Sequence, residues 1–233
     1  MVRLHVEGPL SAGQATALTQ AQAHYLRNVM RLGEGAEIEV FDGRSGGWAA
    51  AVSMLGKRDG AVVPLREVRP QRDPPDVWLI FAPIKKARTD FIVEKAAELG
   101  AARIVPVQTE RTNAERIRRD RLQAHAVEAA EQCGGTFVPE VADLIPLPAL
   151  LDDWPEGRSL VFADEGLAGE AAPDLPPAPT ALLIGPEGGF SDAERARLRE
   201  AATVSLPLGP RVLRADTAAV AALTLWQAAR GDW

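Results

Sequence analysis

Hydrophobic and polar positions follow two different patterns along the 233-residue chain. Up to about residue 70, short apolar stretches predict strands, as at 36–41, where apolar and polar residues alternate as they do in a strand with one buried face. Two more strands are predicted at 48–55 and 61–68, and one helix at 21–32 with its apolar residues on one face. These elements predict a small β-barrel with a single helix.

Beyond residue 76, short apolar runs alternate with longer helical stretches. Strands separated by helices predict an α/β domain with a parallel sheet covered by helices on both faces. The polar, proline-rich joint 69–75 has no apolar period, so we predict two domains, 1–70 and 71–233. The strands of the second are expected at 77–82, 103–107, 160–163, 181–184 and 203–206, and its first two helices at 89–100, capped by Thr89, and at 114–132.

Composition narrows the class of protein. Hydrophobic residues make up 46% of the chain, enough for a core, and the single cysteine, Cys133, excludes an internal disulfide and suits a reducing cytoplasm. The amino terminus lacks a signal-peptide pattern, and no apolar run approaches the roughly 20 residues that span a bilayer. We therefore expect a soluble, cytoplasmic protein.

The formal net charge of −6 at first argues against a nucleic-acid partner. The excess acid, however, lies almost entirely in the last third, where residues 146–233 hold 7 basic and 13 acidic side chains. Between Lys85 and Arg121 there are 10 basic and 6 acidic residues. Phosphate binding responds to the local field within about a Debye length, so this segment is compatible with RNA, although its arginines could equally form a solvated helix face.

A glycine-rich turn, GPEGGF at 185–190, follows the apolar run 181–184. Its glycines allow positive φ and a close approach by another molecule. Ser191, with Glu194 three residues later, predicts a capping box that opens a helix. Strand, turn and helix N-terminus in this order form ligand sites in α/β proteins, though a merely structural turn fits the same residues.

A second turn of this kind, Gly209-Pro210, follows the strand predicted at 203–206, and Asp216 or Thr217 is the expected N-cap of the next helix. In an open α/β sheet, loops at the carboxyl ends of neighbouring strands line one crevice, and the loop after 160–163 is a third candidate. Neither turn matches a Walker A or G-x-G-x-x-G phosphate loop. Glu187 would also repel a phosphate, which disfavours a nucleotide-phosphate hydrolase.

Together the two turns carry a family resemblance. The residues I-G-P-E-G-G-F-S-x-x-E, followed by L-G-x-R-V-L-R-x-[acid]-T-A, resemble the SPOUT methyltransferases and, more narrowly, the bacterial 16S ribosomal RNA (uracil-1498-N3) methyltransferase family. The likeness extends to Lys85, Arg88 and Lys95, to the run E-Q-C-G at 131–134, and to the amino-terminal region. Gly135 stands where the family pattern has an arginine.

The resemblance implies a PUA-like, RNA-binding first domain and a SPOUT domain whose carboxy-terminal part is threaded as a trefoil knot. It further implies that the loops of the knot bind S-adenosylmethionine, that two copies pair there as a homodimer, and that ribosomal RNA or the small ribosomal subunit is the partner. No metal is expected. The residues expected to contact RNA, each with a surface-charge or ion-pair role as its alternative, are Arg3, Arg27, Arg31, Lys85, Arg88 and Arg111.

S-adenosylmethionine is a cation that carries an adenine, so its pocket should be apolar and rich in exposed backbone, and a nearby acidic residue is favourable. Uracil N3 is a poor nucleophile until its proton leaves, so the site also needs a base or a cation that stabilises the uracil anion. Arg211 and Arg214 are the expected cations, and Asp216 is a candidate base whose alternative is the N-cap role. The residues expected to form the cofactor pocket are Leu182, Ile184, Gly185, Pro186, Glu187, Gly188, Leu208, Gly209, Val212 and Leu213.

The leading hypothesis is therefore an S-adenosylmethionine-dependent enzyme that methylates N3 of a specific uridine in small-subunit ribosomal RNA. One alternative is a SPOUT enzyme acting on another RNA nucleoside, for which Gly135 leaves room. Another is a catalytically silent RNA-binding assembly factor that has kept the fold.

Overall fold

The computed structural model describes residues 1–57, 59–112 and 116–233, which form two compact units. The first contains Met1–Asp73 together with Ala130–Val138, and the second contains Pro74–Ala129 and Pro139–Trp233. The predicted ranges 1–70 and 71–233 assign the segment Ala130–Val138 to the second domain, whereas its contacts group it with the first unit.

The first unit is built on a five-stranded sheet with the order β1-β3-β4-β5-β2. All its pairings are antiparallel except that of β1 with β3. The three longer strands agree with the predicted ranges to within one residue at each end. The two three-residue strands were not predicted, because three residues are too few to show an alternating period. The strands are β1 (Arg3–His5), β2 (Thr16–Leu18), β3 (Glu37–Phe41), β4 (Gly47–Leu55) and β5 (Gly60–Arg69).

The helix predicted at 21–32 is shorter in the structure. It consists of α1 (Gln20–His24), which begins with a capping box at Thr19, and a π-helical turn, Tyr25–Val29. Leu26 of that turn is fully buried in the core of the unit. Arg31, two residues beyond the turn, has a positive φ of 55°, so the helical path has already ended there.

Arg3 attaches the separate segment Ala130–Val138 to this unit. Its guanidinium donates hydrogen bonds to the carbonyl oxygens of Ala130 and Glu131, both at 2.9 Å, and of Gly135 at 2.7 Å. The first two carbonyls belong to the end of helix α3 (Arg119–Cys133), where unpaired carbonyl groups attract a cation. No periodicity in the sequence could reveal this long-range contact.

The second unit contains an entirely parallel sheet, which confirms the predicted α/β class. The strand order is β12-β10-β11-β6-β7-β8, and β9 also pairs with β7. All five predicted strands are present, and the two that were not predicted, β8 and β9, are only two residues long. The strands are β6 (Val77–Phe81), β7 (Arg103–Gln108), β8 (Glu140–Val141), β9 (Ile145–Pro146), β10 (Ser159–Ala163), β11 (Thr180–Ile184) and β12 (Val204–Leu206).

Helices pack against this sheet. Ile80 of β6 lies in a core cluster with Leu150 and Leu198 from two of the helices, and its neighbours Leu79 and Phe81 are also fully buried. Burial of consecutive residues is what a strand covered on both faces requires. Besides α3, the helices are α2 (Lys86–Glu98), α4 (Leu147–Asp152), α5 (Asp192–Ala201) and α6 (Ala215–Arg230), of which α6 packs against α2, β11 and β6.

Two predicted helix starts are wrong. Helix α2 begins at Lys86, and the Thr89 hydroxyl bonds instead to the N–H and carbonyl groups of Ile84. Helix α6 begins at Ala215, so neither Asp216 nor Thr217 is its N-cap. The predicted start of α3 at residue 114 lies outside the described residues. None of the helices in the described ranges is long and apolar enough to cross a membrane.

Candidate functional site

Three neighbouring parallel strands, β12, β10 and β11, end at one edge of the sheet, and their loops surround a cavity of about 370 Å³. The cavity is lined by residues within 163–168 after β10, 184–189 after β11 and 206–218 after β12. Its size is in the range of small-molecule sites. The expectation that the two glycine-proline turns line one crevice is thus confirmed.

Gly185 allows the turn after β11 to pack against an aromatic ring. A Cβ atom on Gly185 would lie 2.7 Å from the ring of Phe190, which real side chains do not tolerate. Phe190 is itself buried and contacts Phe162 of β10 edge to face, with ring centroids 5.2 Å apart. The residue before the helix cap therefore packs into the core cluster of the sheet, which also contains Leu198 of the helix that follows.

Gly189 joins this turn to the loop after β10. It has a positive φ of 65°, and a Cβ atom there would lie 2.5 Å from Oε1 of Glu165. The same carboxylate accepts a hydrogen bond from the guanidinium of Arg195 in α5. The backbone angle favours glycine, and a side chain here would also displace the Glu165 carboxylate.

The predicted capping box at the start of α5 is confirmed. The Ser191 hydroxyl accepts the Glu194 N–H at 3.2 Å, and the Glu194 carboxylate accepts the Ser191 N–H at 3.0 Å. The second oxygen of Glu194 accepts the N–H of Glu110 at 2.8 Å. The cap therefore also holds the loop that follows β7.

Asp164 lies directly after β10 with a fully buried side chain. Its carboxylate pairs with Arg195 at 2.6 Å and Arg199 at 2.7 Å, and accepts the N–H of Gly166 at 2.9 Å. Burial raises the pKa of Asp164, but the hydrogen bonds from Arg199 and Gly166 and the two positive charges outweigh it, so the pKa lies below its ordinary value. The hydrogen bond with Glu165 in turn raises the pKa of Arg195.

The structure brings nine of the ten predicted cofactor residues to the cavity wall. The exception is Leu182, which precedes Ile184 by two residues in β11 and is fully buried within the sheet. The sequence marks the loop after 160–163 as a candidate, but its residues are not among those predicted to bind the cofactor. The signal that could have identified them is the acidic pair Asp164-Glu165, which directly follows the apolar run 160–163. The lining residues that were not predicted are Ala163, Asp164, Glu165, Ala168, Gly189, Leu206, Ala215 and Ala218.

The three predicted catalytic residues have different positions. Arg211 and Arg214 line the cavity and are exposed, and neither forms an ion pair with another described residue. Asp216 is not among the lining residues. One of its oxygens accepts a hydrogen bond from Arg88 at 2.6 Å, and the other accepts the N–H of Thr217 at 2.9 Å. With both oxygens engaged, Asp216 is poorly suited to act as a base.

The predicted RNA contacts of the first unit are not equivalent. Arg3 bonds to Glu39 at 3.0 Å as well as to the carbonyls of Ala130, Glu131 and Gly135, so its guanidinium is engaged in holding the fold. Arg27 is exposed but donates to the carbonyl of Leu55 at 3.0 Å. Arg31 is exposed beside the π-helical turn.

Two of the three predicted RNA contacts of the second unit, Arg88 and Arg111, bond to residues at or next to the cavity. Arg88 forms the ion pair with Asp216, which was the alternative to an RNA contact. Arg111 donates to the carbonyl of Gly188 at 2.9 Å, and a Cβ atom on Gly188 would meet the Arg111 side chain at 3.5 Å, an ordinary contact. Lys85 is exposed immediately before α2.

Family models match both parts of the chain. A model described as an RNA methyltransferase domain matches residues 71–227, and one described as an RNA methyltransferase PUA domain matches residues 18–65. The match to a PUA domain confirms the predicted PUA-like character of the first unit.

Curated relatives named ribosomal RNA small subunit methyltransferase E match over most of their length. The protein from Synechocystis sp. is 33% identical, and the match covers 88% of this chain and 70% of the relative. The protein from Bacillus subtilis is 30% identical, and the match covers 89% of this chain and 88% of the relative.

Solved structures resemble the whole chain. A methyltransferase from Legionella pneumophila with bound S-adenosylmethionine has a TM-score of 0.90 and 30% identity, and covers 100% of this chain and 99% of its own. Ribosomal RNA small subunit methyltransferase E from Neisseria gonorrhoeae, also bound to S-adenosylmethionine, has a TM-score of 0.90 and 29% identity with the same coverage. This chain therefore belongs to the RNA methyltransferase family whose curated members are named ribosomal RNA small subunit methyltransferase E.

Proposed function

We propose that this protein transfers a methyl group from S-adenosylmethionine to N3 of a specific uridine in 16S ribosomal RNA. The observation that carries the proposal is the cavity at the ends of β10, β11 and β12, in a chain whose nearly full-length structural relatives bind S-adenosylmethionine. The two curated relatives are named as methyltransferases of small-subunit ribosomal RNA.

The residues of the cavity fit this cofactor. Leu208, Val212 and Leu213 offer an apolar surface to an adenine, and the turn 185–188 offers backbone hydrogen-bonding groups. Glu187 is exposed in the wall, where its carboxylate suits a cationic ligand. The cofactor would supply an activated methyl group on its sulfonium, and the protein has to align the acceptor and exclude water.

Arg211 and Arg214 are the proposed catalytic residues. Because both are free of ion pairs with other described residues, their charge is available to a uracil that has lost its N3 proton. Asp216 has a positioning role in this scheme. By pairing with Arg88 it holds the first turn of α6, which directly follows Arg214.

The first unit would hold the RNA around the target, with Arg27 and Arg31 as phosphate contacts. A target uridine has to leave its stack before a cofactor can reach it, at a cost of a few kcal/mol that such contacts offset. We further propose that the carboxy-terminal part of the chain is threaded as a trefoil knot, that two copies pair there as a homodimer, and that the enzyme works in the cytoplasm on ribosomal RNA or the small subunit.

The test combines binding with product mapping. Calorimetry measures S-adenosylmethionine affinity, and mass mapping locates methyl groups on 16S ribosomal RNA or small subunits after incubation with protein and cofactor. Methylation at N3 removes the proton that pairs with adenine, so reverse transcription should stop at the modified uridine. A methyl group on another nucleoside would favour the SPOUT alternative, and RNA binding without cofactor binding would favour the assembly factor.

Arg211→Ala tests the catalytic assignment. We expect unchanged S-adenosylmethionine affinity and a fall in turnover of about 10²–10³-fold, as when one transition-state donor is removed. Arg197→Ala is the matched control, because Arg197 is a partly exposed residue of α5 that pairs with Asp152 at 2.6 Å and does not line the cavity. Turnover of Arg211→Ala equal to that of the control would refute the assignment.

A further inference from the structure

A second cavity, of about 250 Å³, lies in the second unit between the start of α2 and the segment that leads into α3. Four basic residues line it: Lys86, Arg116, Arg118 and Arg121. Asp90 is the only acidic residue among the described residues of its wall. The wall therefore carries a formal surplus of positive charge.

Ion pairs within the described part of the chain engage only two of these four cations. Arg121 pairs with the largely buried Asp90, and Arg118 pairs with Asp120 at 3.0 Å in a pair that is mostly exposed to solvent and therefore weak. Lys86 and Arg116 form no ion pair with any other described residue. Two cations thus line the cavity without a counterion from the described residues.

The start of α2 adds to this positive field. Its first turn contains no acidic residue, and Lys85 provides no side-chain hydrogen bond as N-cap. The positive end of the helix dipole is consequently left without the carboxylate that stabilises many helix starts. An anion in the cavity would meet both the helix start and the unpaired cations.

Residues close in sequence to both parts of this wall bond to elements that border the cofactor cavity. Arg88, two residues after Lys86, pairs with Asp216 at 2.6 Å, and Arg111, five residues before Arg116, donates to the carbonyl of Gly188 at 2.9 Å. A polyanionic strand whose target base enters the cofactor cavity would therefore pass near the second cavity.

We propose that the second cavity binds a backbone phosphate of the RNA strand that flanks the target nucleotide, with Lys86 and Arg116 as its principal ligands. The proposal rests on the proposed function, since it needs an RNA substrate. It assigns to Arg116, at the start of the arginine-rich segment 116–121, a role in substrate binding and not merely that of a solvated surface charge.

The test measures binding of a fluorescein-labelled single-stranded RNA oligonucleotide by anisotropy over a series of salt concentrations. The variants are Lys86→Ala, Arg116→Ala and the double variant, with Arg197→Ala as the control for loss of a partly exposed positive charge in the same unit. If one phosphate contact is lost, the slope of log Kd against log salt should fall by about 0.7 in the double variant, and its Kd should rise several-fold at low salt. S-adenosylmethionine affinity by calorimetry should be unchanged, which also verifies the fold.

The outcomes separate the two proposals. Wild-type and control protein that bind RNA and methylate it, together with a double variant of equal affinity and salt slope, would overturn the second site alone. Wild-type protein that binds no RNA and methylates neither 16S ribosomal RNA nor small subunits would overturn the second site and the proposed function together. A lowered salt slope in the double variant but not in Arg197→Ala would support the site.

Discussion

The buried carboxylate of Asp164 offers the sharpest test of how the cofactor cavity is held together. Replacing it with asparagine keeps the size and shape of the side chain and one oxygen that can accept the Gly166 N–H. The negative charge that faces Arg195 and Arg199 is lost. The substitution therefore isolates electrostatics from packing.

The expected loss of stability follows from burial. Removing one member of a buried ion pair costs about 3–5 kcal/mol, because the remaining charge is left without a partner. The Arg195 and Arg199 side chains are 19% and 48% exposed to solvent, so water can partly solvate them. We therefore expect the lower end of that range, about 3 kcal/mol.

Urea unfolding followed by tryptophan fluorescence measures the change as a shift in midpoint at constant slope. Asp152→Asn is the matched control, since it breaks the Arg197–Asp152 pair, whose carboxylate is 72% exposed, and should cost under about 1 kcal/mol. Equal losses in the two variants would refute the reasoning. Because Asp164 also holds Arg195, which bonds to Glu165 beside Gly189, affinity for S-adenosylmethionine should fall in Asp164→Asn only.

The pH dependence of the stability difference between wild type and Asp164→Asn provides a second check. Hydrogen bonds and the two guanidinium charges outweigh burial and lower the pKa of Asp164 from its ordinary 3.8. A lowered pKa in the folded state means that the contribution to stability is complete above about pH 4 and is lost as the pH falls further. The difference between wild type and Asp164→Asn should therefore be constant from about pH 7 to pH 5 and shrink below about pH 4.

Two further predictions concern the turn after β11. In Gly185→Ala the new Cβ would lie 2.7 Å from the ring of Phe190. We therefore expect a loss of stability of about 1–3 kcal/mol and weaker S-adenosylmethionine binding in calorimetry. An affinity equal to that of the wild type would show that the ring can move aside without disturbing the cavity. Ser191→Ala removes the acceptor for the Glu194 N–H and should cost about 1 kcal/mol in urea unfolding, and no measurable loss would mean that the cap adds nothing to stability.

Local chemistry made much of the second unit predictable. Buried parallel strands are short continuous apolar runs, so 77–82, 103–107, 160–163, 181–184 and 203–206 were recognisable without any neighbour. The capping box of Ser191 and Glu194 lies within four residues and depends on no tertiary contact. Helix starts were less predictable, because a threonine such as Thr89 can bond to its own preceding turn instead of capping.

Long-range contacts decided the roles of individual charged side chains. Arg3, Arg88 and Asp216 have the residue types expected of RNA contacts and a catalytic base, yet each also bonds to a residue more than a hundred positions away in the chain. The ion pairs of Asp164 likewise depend on helix α5 folding back over β10. A charged residue shows its chemical type in the sequence, but not which opposite charge the fold will place beside it.

The sequence by itself determined the strands, the two glycine-proline turns and the family resemblance, because apolar period, glycine spacing and capping are properties of neighbouring residues. Only the tertiary structure decided that these turns enclose one cavity with the acidic loop after β10 and that Leu182 lies beneath this cavity. It also decided that Arg211 and Arg214 form no ion pair with other described residues, whereas Arg88 pairs with Asp216. The physical reason is that a site is made by the order of strands in a sheet, and strand order joins residues that no local pattern connects.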